Sequence, residues 1–577
     1  TYDLGYSLFF IYNLKRKALK ESNLECFYGK ITLSGGFTMF NYNINHSFMV
    51  LICDSDDDEL IKINKFLHLL SKSGVGDIIK NYIKSNPKGG RPQYNQYNML
   101  AIVLYSFAFS SSTLRDTEEK CKYDIRYMYI SNNNRPTYVS ISHFINDVVI
   151  PNIDLIFSFI TKAIFEECHL SMDDVFIDGT KFEADANKYK FVWKPTKFHL
   201  KLSDKIRNLL KIYCLDNSIP STGIIESKMI AQKVTEFNEK FCLGNEKIPN
   251  NKKINEDYLL LIEYLKKSLE YEEKEKICGR ERNSYYKTDY DATAMCLKRD
   301  YYSGLGKNFH AAYNTQIIVS NGLITCSLIS QARNDLNLFI DALELHYSYY
   351  NRHPKNVCAD AGYGSLENYQ FLSKNNIGNY VKYFNWEGNV TGKNPSQYVI
   401  NDDNTITCLN NNIGKIINLS NRHPKKADTV FYKIEGCSNC NYSEYCKRFM
   451  KNKNENYKIF EVVIDLQHFI KQSENNLLSV KGIELRVNRS SQVEGAFGVI
   501  KQDMSYIRLR RTSLKKVNLE IKLTCLGYNI RKLFKYYSGN GKFNYWSAPE
   551  NIEPEKKKMP SAKRLSNKVN NNKKGLT

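Results

Sequence analysis

Two hydrophobic rhythms divide this chain. From about Asp56 to Asn152 apolar residues recur at helical spacing, with Leu60, Ile63, Phe66, Leu67 and Leu70 on one face. The break Asn86-Pro87-Lys88-Gly89-Gly90-Arg91-Pro92 then precedes a second apolar helix around 99–105. Thr113 and Thr137 are polar starts suited to capping helices in a helix-turn-helix-like arrangement, with plain helical packing as the other reading. Further on the period shortens. Val175-Phe176-Ile177 predicts a strand ending at Asp178, and two strands over 310–320 and 323–330 are joined by Asn321-Gly322, a two-residue hairpin signal. A helix over 335–349 leads to the strand Asn356-Val357-Cys358-Ala359, which ends at Asp360, and another strand is expected over 378–384.

Strand, hairpin, helix, strand, helix, strand and a late helix is the order of a ribonuclease H-like core, an α/β fold with a mixed sheet. The boundaries that follow are a leader over 1–55, a helical DNA-binding domain over 56–155, and the first part of the catalytic core over 156–195. A charged helical insertion over 196–283 puts Tyr258, Leu261, Ile262, Leu265 and Leu269 on one face, as a helical hairpin or coiled segment would. The second part of the core spans 284–400, a cysteine-rich insertion 401–474, a glutamate helix with basic C-terminal helices 475–540, and a disordered basic tail 541–577.

Charge changes the picture next. Lys and Arg number 82 against 61 Asp and Glu in 577 residues, a formal charge of +21, and a polyanion is the natural partner of such an excess. The apolar run over 99–105 is far short of the roughly 20 residues a membrane helix needs, so no membrane span is expected. Ser7-Leu8-Phe9-Phe10-Ile11-Tyr12 is followed rather than preceded by Lys15, Arg16 and Lys17, the wrong order for a secretory signal, and a cytoplasmic location is expected. Fifteen cysteines, an odd number without an export signal, argue for free thiols rather than a disulfide framework.

Three acids stand out as one candidate metal site. Asp178 and Asp360 end apolar strands and are followed by Gly179-Thr180 and Ala361-Gly362, which would let the chain turn at the sheet rim, although Asp-Gly is also a common turn pair. Glu494 opens a helix in Val493-Glu494-Gly495-Ala496-Phe497-Gly498-Val499-Ile500-Lys501. Hard divalent cations take oxygen ligands, and a metal pair can clamp the attacking and leaving oxygens of a phosphoryl transfer. Glu494 and Lys501 lie seven residues apart, about two helical turns, so a metal ligand and a phosphate-binding ammonium would share a face. Gly495 and Gly498 suggest close approach of another backbone. Asp173, Asp174, Glu183 and Asp185 compete, but none ends the apolar run.

Cys437 and Cys440 form Cys-x2-Cys, Cys446 follows, and Cys408 precedes, so four thiolates are on hand for a tetrahedral structural zinc, with unligated thiols the alternative. Arg508, Arg510, Arg511, Lys515, Lys516, Lys522, Arg531, Lys532 and Lys535 share their stretch with the single acid Glu520, a basic strip suited to DNA. Trp193 and Trp386 each offer a ring to stack on a base. His310 reads as a packed or hydrogen-bonded histidine.

Phe176-Ile177-Asp178-Gly179-Thr180-Lys181-Phe182-Glu183-Ala184, Thr288-Asp289-Tyr290-Asp291-Ala292-Thr293, Ala359-Asp360-Ala361-Gly362-Tyr363 and Val493-Glu494-Gly495-Ala496-Phe497-Gly498 with Lys501 together resemble the DDE transposases of bacterial insertion sequences. The nearest group has an N-terminal helical domain and a Tyr-Arg-Glu-Lys-type signature. The resemblance implies that Asp178, Asp360 and Glu494 hold two Mg2+ (or Mn2+) ions, that Lys501 is the signature lysine, and that the partners are double-stranded DNA, as terminal inverted repeats and target, with the protein a homodimer. It also implies a cysteine-rich insertion of the kind seen here. Two departures stand: the signature arginine belongs four residues before the glutamate, where Ser490 stands and Arg489 is one position early, and Tyr290 replaces the usual proline of Asp-Pro-Asp. A repurposed DNA-binding protein and a metal-dependent nuclease are the alternatives.

Overall fold

The first strand does not stop at the aspartate where its apolar run ends. In the computed structural model, which describes residues 58–82, 93–109, 113–241, 252–280, 282–298, 308–418, 429–450, 452–540, 543, 545–562 and 565, β1 spans Asp174–Glu183. The expected turn at Gly179 is absent because the long strand β5 (Phe309–Ser320) pairs with β1 as far as Glu183 and satisfies its backbone there. Gly179 is required for another reason: a Cβ there would lie 2.3 Å from the Gln316 amide nitrogen. The expected leader lies outside the described residues, as does the Pro-Gly break before the second helix.

Strands β2 (Phe191–Trp193) and β3 (Ser284–Tyr286) form a separate two-stranded ribbon. In the central sheet, β4 (Thr293–Cys296) and β6 (Leu323–Ser330) pair with successive stretches of β5, which is followed by β1, β7 (Asn356–Ala359) and β8 (Gly378–Val381). β1, β7 and β8 run parallel and β5 runs against β1, so the sheet is mixed as expected. The hairpin turn is Asn321-Gly322, with φ of 49° and 69°, the left-handed pair such a turn demands. Val175, Ile177, Ile318, Val357, Ala359 and Val381 form a buried core with Phe339 and Leu343 of helix Leu338–Tyr350 and Leu372 of helix Leu366–Lys374.

The N-terminal region is helical, and both expected caps are present. Thr113 accepts from Asp116 N in a full capping box, and Thr137 accepts from Ser140 N. The boundary expected at 155 falls inside helix Ile150–Glu167, which packs on β6 and on helix Leu338–Tyr350. With the turns before it, 138–167 is long and apolar enough to cross a membrane, a length the contiguous-run reading missed; more than half of its apolar window is buried in the protein core. Helix Leu514–Lys535 packs against helices Gln96–Phe109 and Ile150–Glu167 and against β6. Its Gly527 allows backbone contact, since a Cβ there would stand 2.6 Å from Phe107 O.

The first insertion is a three-helix unit, Thr196–Ile212, Ser227–Phe241 and Lys252–Cys278, with its own core of Ile206, Leu210, Ile225, Ile230, Phe237 and Leu261. The cysteine-rich insertion is a five-stranded antiparallel sheet, β9 (Tyr398–Ile400) to β13 (Tyr457–Val463), so it starts slightly before and ends well before its expected limits. The disorder expected from 541 does not hold over 545–562. Residues 545–562 lie along the core, where Glu555 N bonds Leu478 O and Lys558 N bonds Val390 O, at 2.8 and 2.9 Å, and Arg486 pairs with Glu555 at 2.6 Å.

The Asp289-Tyr290-Asp291 block acquires a role here. Asp289 accepts from the Tyr313 hydroxyl at 2.8 Å and from Ser513 N at 3.2 Å, and Asp291 accepts from Leu514 N at 2.8 Å. The two carboxylates cap helix Leu514–Lys535 from more than 200 positions away in sequence, where orphan N–H groups and the helix dipole favour negative charge. Asp291→Ala is expected to lower the free energy of unfolding by about 1–2 kcal/mol, the size of a lost cap. Urea denaturation of the variant and parent checks this; an unchanged midpoint would remove the cap.

Candidate active site

The register of the parallel strands decides which groups meet. Ile177 stands opposite Ala359, and Ala359 opposite Val381. One residue further on, therefore, Asp178, Asp360 and Lys382 follow in a row across three neighbouring strands, and the Lys382 ammonium is 3.3 Å from Asp360 Oδ1. Lys382 was not anticipated; the rule that singled out strand-end aspartates applies equally to the residue after Val381.

Glu494 reaches the same place from a helical run that begins at Val480, so it does not open a helix. Val480–Arg489 is α-helical, Ser490–Glu494 a π turn, Gly495–Gly498 α-helical and Val499–Asp503 a second π turn. Such turns hold an extra residue and frequently occur at functional sites. Gly495 and Gly498 face open space, with nothing within 4 Å of a Cβ, so the expected close backbone is absent.

Arg489 joins the three acids. Its buried guanidinium lies 3.5 Å from Asp178 Oδ2, 3.4 Å from Asp360 Oδ1 and 3.9 Å from Glu494 Oε1. Nη1 makes no hydrogen bond, so the contact is ionic and loose. The acids differ electrostatically. Burial pushes Asp178 above the ordinary carboxylate range against the pull of Arg489 and of its own bond from Gly179 N, 2.8 Å long. Burial acts on Asp360 too, but Arg489 and Lys382 outweigh it and hold that carboxyl below the ordinary range. Behind them the Tyr363 hydroxyl donates to the Gln316 side chain, and Gln316 and Asn314 both donate to Asp335, at 2.9 and 2.6 Å. Sequence reasoning missed this network because its members are polar residues inside an apolar strand pattern.

The competing acids have other partners. Asp173 pairs with Lys355 at 2.9 Å and Asp174 with Lys481 at 2.7 Å, at the far end of β1. Glu183 lies 3.7 Å from the buried His310 and 3.9 Å from Arg508, whose Nη2 is 3.1 Å from Asp185.

Lys501 lies along β1 just past the triad. Its ammonium donates to Thr180 Oγ1 at 2.6 Å and sits 4.9 Å from the Phe182 ring centre. Burial, assisted by Lys298, lowers its pKa to about 8. The unfolded chain therefore binds more protons between about pH 8 and the ordinary 10.5, so stability rises with pH across that window and the whole cost of burying the charge is present below it. Lys501→Met is expected to flatten that rise and to stabilise the chain at pH 7; urea midpoints on either side of the window read both effects.

Beyond Lys501 the basic strip divides. Leu509 N bonds Glu183 O at 2.9 Å, and the backbone N–H groups of Arg510 and Arg511 bond Glu520 at 3.0 and 3.1 Å, so Glu520 is a buried anchor, pushed up by burial. Arg510, Lys515 and Lys516 are exposed, and Arg508 and Arg511 half-buried. Lys522, expected in the strip, is buried in an ion pair with Asp154 instead. Trp386 is also buried, against Tyr383 and under Arg486, which rules it out for base stacking, whereas Trp193 is exposed.

Among the described residues no three His, Cys, Asp or Glu side chains are drawn together at metal-ligating separation. The triad is spread around Arg489, and its hard oxygen donors fit Mg2+ or Mn2+ once that guanidinium withdraws. Cys408, Cys437, Cys440 and Cys446 line one small cavity with Lys447 and Lys458. All four are free thiols, and burial pushes Cys446 up to about 11; four thiolates are a donor set whose chemistry suits zinc.

Two family models match this chain: a transposase DDE domain over 407–534 and the Transposase domain (DUF772) over 53–147. Both stretches are similar to transposase families, and together they support a likeness to the DDE transposases of insertion sequences. No curated protein and no solved structure matches it. The two matches suggest a transposase function; transposases act on DNA, and DDE transposases generally use divalent metal ions. Of the triad, only Glu494 lies within a matched stretch, together with Arg489, Lys501, the basic strip as far as Lys532 and the four cysteines. Asp178 and Asp360 rest on sheet geometry.

Proposed function

We propose that this transposase cleaves DNA at the ends of its element and joins the freed 3′ ends to target DNA at one site on a ribonuclease H-like core. The observation that carries the reading is the parallel register that sets Asp178 beside Asp360, with Glu494 brought to the same guanidinium. The strand order and directions support the fold, with β1, β4 and β6 antiparallel to β5 and then β7 and β8 added parallel to β1.

In this reading Asp178, Asp360 and Glu494 hold two Mg2+ or Mn2+ ions. When bound, the ions activate water or a 3′-hydroxyl and neutralise charge on the phosphate under attack. The chain's own residues do the rest. Arg489 turns from the carboxylates to the phosphate, Lys382 stays beside Asp360, and Lys501 holds the backbone just past the cut. Arg508, Arg510, Arg511, Lys515 and Lys516 receive the flanking duplex. The π turn supports Arg489 as the signature arginine: in a turn closed between i and i+5, a residue five positions ahead of Glu494 stands where an α-helix would need four.

The helical N-terminal domain reads the terminal repeats, a homodimer pairs two ends, and the protein works on DNA in the cytoplasm. The cysteine cluster holds a structural Zn2+. About one zinc per chain is expected in the purified protein, falling away in Cys437→Ser with loss of stability to chelator; a parent chain free of zinc would end that assignment. A strand-transfer assay with element-end DNA and Mg2+ tests the main reading. Joined product supports it, whereas cleavage without joining favours a nuclease and retention without either a DNA-binding protein.

A further inference from the structure

We infer that the β2–β3 ribbon is a stacking platform for unpaired nucleotides of a DNA strand, an inference that rests on the DNA-processing reading above. Four aromatic side chains within ten residues face solvent: Tyr189 is 80% exposed, Phe191 45%, Trp193 49% and Phe198 65%. Tyrosine, phenylalanine and tryptophan at such exposure are costly to leave in water without a use. Phe191 and Trp193 occupy alternate positions of β2 and so share a face, with ring centres 5.7 Å apart.

The ribbon is fixed. β2 pairs with β3 in the register Phe191 to Tyr286 and Trp193 to Ser284, and the Tyr286 ring stands 6.4 Å from that of Phe191. Lys194 N bonds Asn283 O at 2.8 Å, and Asn187 N bonds Thr288 Oγ1 at 2.9 Å. The Lys194 ammonium donates to Gly279 O at 2.6 Å and ties the ribbon to the three-helix insertion. The aromatic face is thus held ready, with little ordering left for a ligand to impose.

Charge identifies the occupant. Lys188, Lys190, Lys197 and Lys201 are interleaved with the rings, and no carboxylate occurs between Asp185 and Asp204. Lysine is depleted in the contact surfaces between proteins, whereas cations alternating with aromatic faces are the usual equipment for nucleic-acid strands. Position agrees. β1 carries Asp178, then the Lys501 anchor at Thr180 and the Arg508 anchor at Glu183 and Asp185, and runs directly into the turn that holds Tyr189. A duplex lying on those cations hides its base faces, so the rings can stack only on nucleotides that are unpaired or turned out of the helix.

The test uses the full chain without metal, with oligo(dT) as the single-stranded probe and a blunt hairpin duplex as the paired one. Anisotropy and tryptophan fluorescence are followed for the parent, for Phe191→Ala/Trp193→Ala and for Trp193→Phe. Oligo(dT) is expected to quench the parent's fluorescence; the double variant should bind oligo(dT) about tenfold or more weakly, since each stacked base contributes appreciably. Duplex affinity should stay within about twofold, and Trp193→Phe should keep most of the oligo(dT) affinity while losing most of the quenching. Parental oligo(dT) binding by the double variant overturns the platform, as does an equal loss for both probes. A changed oligomeric state of the double variant in sedimentation also overturns it, because the ribbon would then be a contact between copies. Failure of strand transfer with intact, ring-dependent oligo(dT) binding would sink the transposition reading and leave the platform standing.

Discussion

Asp178→Asn, Asp360→Asn and Glu494→Gln are each expected to reduce DNA-strand cleavage by about 10³-fold or more, since metal-borne charge stabilisation amounts to several kcal/mol of the barrier. For Asp178→Asn and Glu494→Gln the loss should be catalytic alone, whereas Asp360→Asn should also forfeit the stabilisation its carboxylate draws from Arg489 and Lys382. Glu494 is largely exposed and Asp178 sits under a burial cost that its amide would not incur, so neither substitution should lower stability. Cleavage of a labelled element-end duplex in Mg2+, with gel-shift retention measured in parallel, separates the two quantities. If any one of the three variants kept a tenth of the parental rate, that acid would be outside the site. Replacing Asp173 or Asp174 instead should leave cleavage untouched, because their partners are Lys355 and Lys481 at the opposite end of β1.

Arg489→Ala is expected to have the largest effect on stability. It would leave Asp178, Asp360 and Glu494 facing one another with Lys382 as the nearest remaining cation. Removing one partner of a fully buried pair costs about 3–5 kcal/mol; with Asp360 and Glu494 half exposed and partly screened, about 2–3 kcal/mol is expected here. The deficit should be present in EDTA and shrink in excess Mg2+, because ions held by the same carboxylates replace the missing charge. Urea midpoints under both conditions measure it. A variant as stable as the parent in EDTA would mean that the guanidinium does not balance these acids.

Much of this was readable in the residues. The hairpin at Asn321-Gly322, the strands that carry Asp178 and Asp360 and the caps at Thr113 and Thr137 are local signals, set by turn chemistry and side-chain alternation. What escaped was relational. Nothing before Gly179 announces that a partner strand continues past it, so the apolar run alone predicts a strand that ends at Asp178. Lys522 read as one more cation in a basic stretch, yet the helix around it is buried on nearly every side and Asp154 comes from a distant helix to meet it. The same holds for Asp289 and Asp291, which cap a helix that starts more than 200 residues later. Arg489 is the most instructive case. A π turn lies between it and Glu494 and shifts which faces of the helical run the two share, and a π turn has no composition that marks it in advance.

The strap over 545–562 braces the helical run that carries Arg489 and Glu494. Its Glu555 reaches Arg486, three residues before the arginine that gathers the acids, while Trp546 O accepts from Asn488, the residue directly before it. A shortened chain or a bulky fusion placed inside this stretch would therefore loosen the helix that delivers Glu494, and would look in an assay like damage at the three acids although every one of them was intact.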